Sequence, residues 1–195
     1  MREFIEKMQN KGLVVDVMEP VSTDMQAAKM ASTTDKLLFF HNIEGKRAVM
    51  NLTASRTSLS LALGIDEKLI VKTLADAKFD GKIIEVGPLK MEKPDLTRIP
   101  IMNHFPKDAG KYLTSAIVFS RWDGVANASI HRMQVLDSHS VVARLVEGRH
   151  THVMLKKALA KGEKLPVALT IGTHPAVTFA SCTPGANRDG TPVCC

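Results

Sequence analysis

Between positions 114 and 150 the sequence sets out side chains suited to holding an anion or a divalent cation: Thr114, Asn127, Ser129, Arg132 and His150. Asn127 offers an amide oxygen and His150 an imidazole nitrogen. Mn2+ and Mg2+ accept oxygen-rich octahedral sites, and phosphate oxygens of a ligand can supply the remaining positions. Two protein ligands are too few for tight binding without such a phosphate or a carboxylate. Arg132 falls inside a stretch that also carries Ile130 and Val135, and its planar fork suits a carboxylate or a phosphate. Each residue has a plainer reading as well. His150 has no ligand-spaced partner before it and reads equally as a surface or helix-capping histidine. Asn127, just after a turn, reads as a turn residue. Arg132 reads as an outward-facing residue of a half-exposed strand, and Thr114 and Ser129 as an ordinary cross-strand hydroxyl pair. Strict alternation sends Asn127 and Ser129 to one face of a strand and Arg132 to the other. They can serve one ligand only if the strand bulges or the ligand wraps its end.

The elements that position these residues follow from periodicity and punctuation. An amphipathic helix is expected over residues 2–11, with Gly12 as its stop, and a strand over Leu13–Val17. Ser22 and Thr23 are expected to cap a helix running through Met30. Lys36–His41 and Arg47–Leu52 suit two strands joined by a turn at Glu44-Gly45. Ser55 is expected to cap a helix ending at Gly64, and Asp66 the next one, carrying Leu69, Ile70 and Leu74. Residues 87–100 hold three prolines and read as a linker. Beyond them, strands are expected over Tyr112–Ser120, Val125–Leu136 and Val141–Val146, the first two joined at Trp122-Asp123-Gly124. A helix over residues 151–161, a strand over Pro166–Ile171 and a helix beginning at Pro175 complete the pattern. Residues 184–195 lack hydrophobic patterning and read as a disordered tail. The division expected is therefore 1–100, an α/β domain; 101–183, a β-rich domain with an inserted helix; and 184–195, a tail.

Composition narrows the class. The 195 residues are 45% apolar and 24% charged, as in an ordinary globular protein. No apolar run approaches the roughly 18 residues needed to span a bilayer, and no signal sequence opens the chain, so a cytoplasmic protein without a membrane partner is expected. Cys182, Cys194 and Cys195 are odd in number and fit neither a disulfide framework nor a CxxC metal site. The net charge of +6 is scattered, with one Trp and one Tyr, which lacks the stripe and stacking platforms of sequence-independent nucleic-acid binding. A phosphate-bearing small ligand suits that charge as well. The ten methionines read as core filler.

Four stretches, in order and spacing, resemble the UbiD family of decarboxylases. They are Asn51-Leu52-Thr53-Ala54-Ser55-Arg56 with Leu61-Ala62-Leu63-Gly64; Gly110-Lys111-Tyr112-Leu113-Thr114; Asn127-Ala128-Ser129-Ile130-His131-Arg132-Met133-Gln134; and Gly148-Arg149-His150-Thr151 with Gly162–Ala168 and Ile171–Ala176. Arg144-Leu145-Val146 followed by Arg149-His150-Thr151 is most similar to archaeal members, some of which decarboxylate anhydromevalonate phosphate. The resemblance covers roughly residues 1–183. It implies an α+β fold: an N-terminal α/β domain followed by part of a split β-barrel of the FMN-binding type. It implies prenylated FMN as cofactor, bound through Mn2+ or another divalent metal together with K+, and a flavin prenyltransferase as its supplier. Carried over residue by residue, it makes Asn127 and His150 metal ligands and Thr114, Ser129, Ile130 and Arg132 cofactor-binding residues. Arg132 is also the catalytic residue that contacts the carboxylate of a small-molecule acid. The family's catalytic glutamates lie downstream of this pattern, and homo-oligomers are usual.

Three functions are therefore weighed. The first is a non-oxidative decarboxylase of an α,β-unsaturated or aromatic acid, incomplete in this chain. The second is a catalytically inactive fragment of such an enzyme. The third, more distant, is a basic nucleic-acid-binding protein.

Overall fold

The structure, a computed structural model, describes residues 1–76, 87 and 92–182, and the backbone at 185–186 and 192–193. The first half is built on a small sheet. Phe4 and Met8 lie one turn apart on α1 (Arg2–Asn10) and are buried against Leu37. Gly12, at φ 67°, ends that helix and feeds β1 (Val14–Val17). Strand β1 pairs in parallel with β2 (Leu37–Ile43), and β2 pairs antiparallel with β3 (Lys46–Met50). The β2–β3 turn takes positive φ at both Glu44 (51°) and Gly45 (78°), the mirror-image turn that matches strand twist.

Three further short helices follow in this half. In α3 (Arg56–Leu63) the expected punctuation holds: Ser55 Oγ accepts from Ser58 N at 3.1 Å, and Gly64 closes the helix at φ 69°. In α2 (Gln26–Ala31) it does not, because the N-cap is Met25. The expected caps are engaged elsewhere. Ser22 Oγ accepts from Asp24 N, and Thr23 is buried with its hydroxyl donating to Glu44 Oε1 at 2.6 Å. Likewise Asp66 caps only a turn, accepting from Lys68 N at 2.8 Å, and α4 begins at Ile70 and ends at Ala75. Of the expected linker, residues 88–91 lie outside the described residues, and Leu96–Arg98 forms a 3-10 turn capped by Asp95.

The second half contains β4 (Tyr112–Leu113), β5 (Ile117–Trp122), β6 (Val125–Ile130), β7 (Met133–Val135), β8 (Val141–Ala143), α5 (His150–Ala160), β9 (Val167–Thr170) and α6 (Pro175–Cys182). Two strands expected to be continuous are broken. Tyr112–Ser120 divides into β4 and β5, and Val125–Leu136 divides into β6 and β7. The halves belong to different sheets, ordered β4-β7-β8 and β6-β5-β9. The reason lies in the register. Ile117 pairs with Ile130 and Leu113 with Met133, so residues 114–116 face residues 131–132 across the break. Three residues opposite two form a bulge-like corner, at which a bent ribbon passes from one sheet to the next.

The halves are packed together. Ile101 is buried with Leu113, Ala116, Val118 and Met133, while its neighbour Met102 is buried in the first core with Val17, Leu38 and Phe40. The architecture is mixed α/β with small sheets, and no sheet closes into a barrel among the described residues. The expected disordered tail falls largely outside the described residues; within it, β10 (Gly185–Ala186) pairs antiparallel with β11 (Pro192–Val193). No helix of the described residues is long and apolar enough to cross a membrane.

Candidate functional site

Strand β6 distributes the candidate residues by its two-residue period. Asn127 and Ser129 are buried on one face, and His131, just past the strand, continues the row. That row meets the first turn of α5 at Thr151, itself buried. Asn127 Nδ2 donates to Ser129 Oγ and to Thr151 Oγ1, each at 3.1 Å. His131 Nε2 lies 2.9 Å from Ser129 Oγ and 3.1 Å from Thr151 Oγ1, and the two hydroxyls are 3.2 Å apart. Burial holds the His131 imidazole below its ordinary pKa, an effect partly offset by the Arg144 carbonyl, which favours a ring N–H.

His150 opens α5 one residue before Thr151. Its Nδ1 is buried and has no hydrogen-bond partner, as has Trp122 Nε1, and both residues line a cavity of about 170 Å3 with Val125, Val153 and Met154. An imidazole nitrogen left unpaired in a protein interior is costly unless a ligand takes it. His152, the other histidine of this turn, is engaged elsewhere: its Nδ1 accepts from Gly148 N at 3.2 Å.

Thr114, Ile130 and Arg132 lie on the opposite side. They line a cleft of about 450 Å3 with His104, Phe105, Asp108 and Tyr112. The Arg132 guanidinium is held from two directions. Its Nη2 donates to Asp108 Oδ1 at 3.1 Å, and its Cζ stands 4.4 Å from the Tyr112 ring centroid. Asp108 is fixed in turn by the Phe105 N–H, which donates to its Oδ2 at 3.2 Å.

The candidates thus fall into two groups on either side of one strand: Asn127 and Ser129, beside the α5 turn that carries His150, and Thr114, Ile130 and Arg132 in the cleft. Arg132 stands at the corner between the two sheets, where a ligand wrapping the end of β6 could meet both groups. Asn127 does not line the cavity that His150 lines, and among the described residues the two are linked only through Thr151, which follows His150 and bonds to Asn127; the donor types themselves suit a phosphate-bearing ligand held through a divalent cation. The α5 N-terminus favours an anion, the Asn127 oxygen accepts no hydrogen bond among the described residues, and His150 Nδ1 is unpaired. Among the described residues no group of three or more His, Cys, Asp or Glu side chains could hold a metal by itself, so oxygens of the ligand are needed to complete such a site. Sequence reasoning missed His131, Thr151, Asp108 and Tyr112 as working partners. The 127/129/131 alternation signalled the first. Asp108, 24 residues from Arg132, gave no local sign.

Comparison with known proteins identifies the class. The profile of the 3-octaprenyl-4-hydroxybenzoate carboxy-lyase Rift-related domain matches residues 77–189, and that of the same enzyme's N-terminal domain matches residues 5–78. The chain belongs to the UbiD family. Anhydromevalonate phosphate decarboxylase of Methanosarcina mazei is 40% identical over 187 residues, covering 93% of this chain and 44% of the relative. The Archaeoglobus fulgidus enzyme of that name is 44% identical over 147 residues, 73% of this chain and 34% of the relative. An evolved dimeric form of the UbiD-class enzyme HmfF from Pelotomaculum thermopropionicum, solved in complex with prenylated FMN, superposes with a TM-score of 0.85 at 29% identity, over 97% of this chain and 47% of that one. The chain spans about half the length of the curated relatives it matches most fully, 44% in the first case.

Proposed function

We propose that this chain is the cofactor-holding part of a UbiD-class non-oxidative decarboxylase acting on an α,β-unsaturated or aromatic carboxylic acid. The observation that carries the reading is the division of labour on β6. One face brings Asn127 and Ser129 to the first turn of α5, and the strand's end delivers Arg132 to the cleft behind it. In this reading Asn127 and His150 are ligands of Mn2+ or another divalent metal, with K+ nearby, at the cofactor phosphate. Ser129, Thr114 and Ile130 hold the cofactor, residues 101–183 form part of a split barrel, and residues 1–100 support it. Prenylated FMN, when bound, supplies the electron sink that lets carbon dioxide leave. Arg132 binds the substrate carboxylate through its fork. Asp108 and Tyr112 keep that fork aimed at the cleft, so little rotamer entropy is lost when the acid arrives. The proposed partners are a flavin prenyltransferase as cofactor supplier, the acid itself and further copies of the chain.

Co-expression with a flavin prenyltransferase tests the reading. The purified chain is expected to carry flavin absorbance and about one equivalent of Mn2+ per flavin, a ratio set by one phosphate-bridged ion. Asn127→Ala and His150→Ala are expected to lose the metal, whereas Arg132→Ala keeps it. A colourless, metal-free chain overturns the reading and leaves the inactive fragment in its place.

A further inference from the structure

The polar network behind the candidate metal site contains a histidine that the family resemblance assigns no role. Asn127, Ser129, Thr151 and His131 share two hydroxyl protons among their contacts, and this makes the network directional. If His131 Nε2 carries a lone pair, the hydroxyls of Ser129 and Thr151 can donate to it, directly or one through the other. Both oxygens are then free to accept from Asn127 Nδ2 across the 3.1 Å contacts, and Asn127 Oδ1 turns outward. If Nε2 instead carries a proton, it donates to the hydroxyls. Their own protons then point back at Asn127, and the amide is favoured with its oxygen turned inward. Ring tautomer and amide orientation are one choice. The Arg144 carbonyl beside the ring favours the Nδ1–H form, and burial favours the neutral one.

We propose that His131 is a positioning residue: as the neutral Nδ1–H tautomer, it sets the hydrogen-bond polarity of Ser129 and Thr151 so that Asn127 presents its carbonyl oxygen, and not its NH2, to a cation. The orientation of the amide follows from the network alone. Its consequence for a cation rests on the reading of Asn127 as a ligand. An amide nitrogen has no lone pair to give a metal, so a flipped Asn127 would remove one of the two protein ligands.

The experiment is NMR on the 195-residue chain labelled with 15N. It needs no ligand for its first part. His131 is expected to show a pyrrole-type Nδ1 and a pyridine-type Nε2, the reverse of the tautomer that free histidine prefers. The Asn127 NH2 protons are expected to exchange slowly. In His131→Leu they should exchange about five- to tenfold faster, the factor equivalent to one lost hydrogen bond. His131→Gln can place an acceptor oxygen near the Nε2 position and should restore slow exchange. An Nε2–H tautomer in the unmodified chain overturns the proposal, whether or not the variants fold. So does unchanged exchange in a folded His131→Leu chain. Titration with FMN and Mn2+ then separates this inference from the functional reading. Binding by the unmodified chain and His131→Gln, weakened tenfold or more in His131→Leu, supports both. Absence of binding by every form sinks the functional reading, while the tautomer and exchange data still decide the network.

Discussion

At the scale of single residues, Thr151 is the most consequential side chain that motif reading passed over. It is buried, and its hydroxyl stands within hydrogen-bond distance of Asn127, Ser129 and His131 at once. Thr151→Val keeps the shape and deletes that hydroxyl, leaving Asn127 Nδ2 and His131 Nε2 with Ser129 alone. The expected cost is about 1–3 kcal/mol, read in thermal unfolding as a midpoint lowered by roughly 2–4 °C per kcal/mol for a chain of this size. A midpoint unchanged within error would mean that water replaces the hydroxyl. Thr151 escaped notice because a threonine beside a histidine at a helix start has an adequate local explanation. Only the register that lays β6 against α5 gives it three partners. Arg132 was legible for the opposite reason, since an arginine among strand residues calls for a partner, although its partner Asp108 was not.

At the scale of elements, the turns at Glu44-Gly45 and Asp123-Gly124 and the Ser55 cap were read correctly, whereas Thr23 was drawn off by a tertiary contact with Glu44 and Asp66 by a local turn at Lys68. The Asp123-Gly124 turn joining β5 to β6 was legible because both positions need positive φ, 52° and 79°. It fixes the register that pairs Ser120 with Asn127 and Val118 with Ser129. Gly124→Ala tests its importance. A Cβ at this position meets no atom within 4 Å, so the cost is backbone strain alone, expected at about 1–2 kcal/mol. Equilibrium denaturation should show a lowered midpoint at unchanged slope; an altered slope would point to slipped pairing instead. The corner at residues 114–116 and 131–132 was invisible in the sequence. Leu113 through Val118 and Ile130 through Val135 carry no glycine or proline, and their composition suits a continuous strand. The break comes from two sheets competing for the same ribbon, a non-local cause that a window of residues cannot register. At this corner Asn127 and Arg132 keep to opposite sides of β6, as strict alternation expects, with Arg132 facing the cleft and Asn127 bonded to Ser129 and Thr151.

At the scale of the whole molecule, the two halves are joined by a seam in which Glu44 is the central acceptor. Its Oε1 accepts from the Thr23 hydroxyl and from Thr23 N at 2.9 Å, and Lys111, at the entry to β4, stands 3.7 Å from its Oε2. Thr23 passes the connection on, since its carbonyl accepts from Asn103 N at 3.0 Å, and Asn103 Nδ2 donates to Asp24 Oδ1 at 2.8 Å. The two hydrogen bonds from Thr23, assisted by Lys111 and Lys46, hold the Glu44 carboxyl below its ordinary pKa. A carboxyl depressed in the folded state contributes stability at pH values above its unfolded pKa, about 4.3. That contribution is lost as pH falls through the lower folded pKa. The unmodified chain should therefore lose thermal stability more steeply between about pH 5 and pH 3 than Glu44→Gln does. In that variant an amide oxygen can still accept from Thr23, but no charge is available to protonate. Above pH 6 the variant should unfold at a lower temperature, and the two curves should converge in acid. Parallel curves across the whole range would show that the seam is held by shape and backbone pairing alone, with the Glu44 charge contributing nothing.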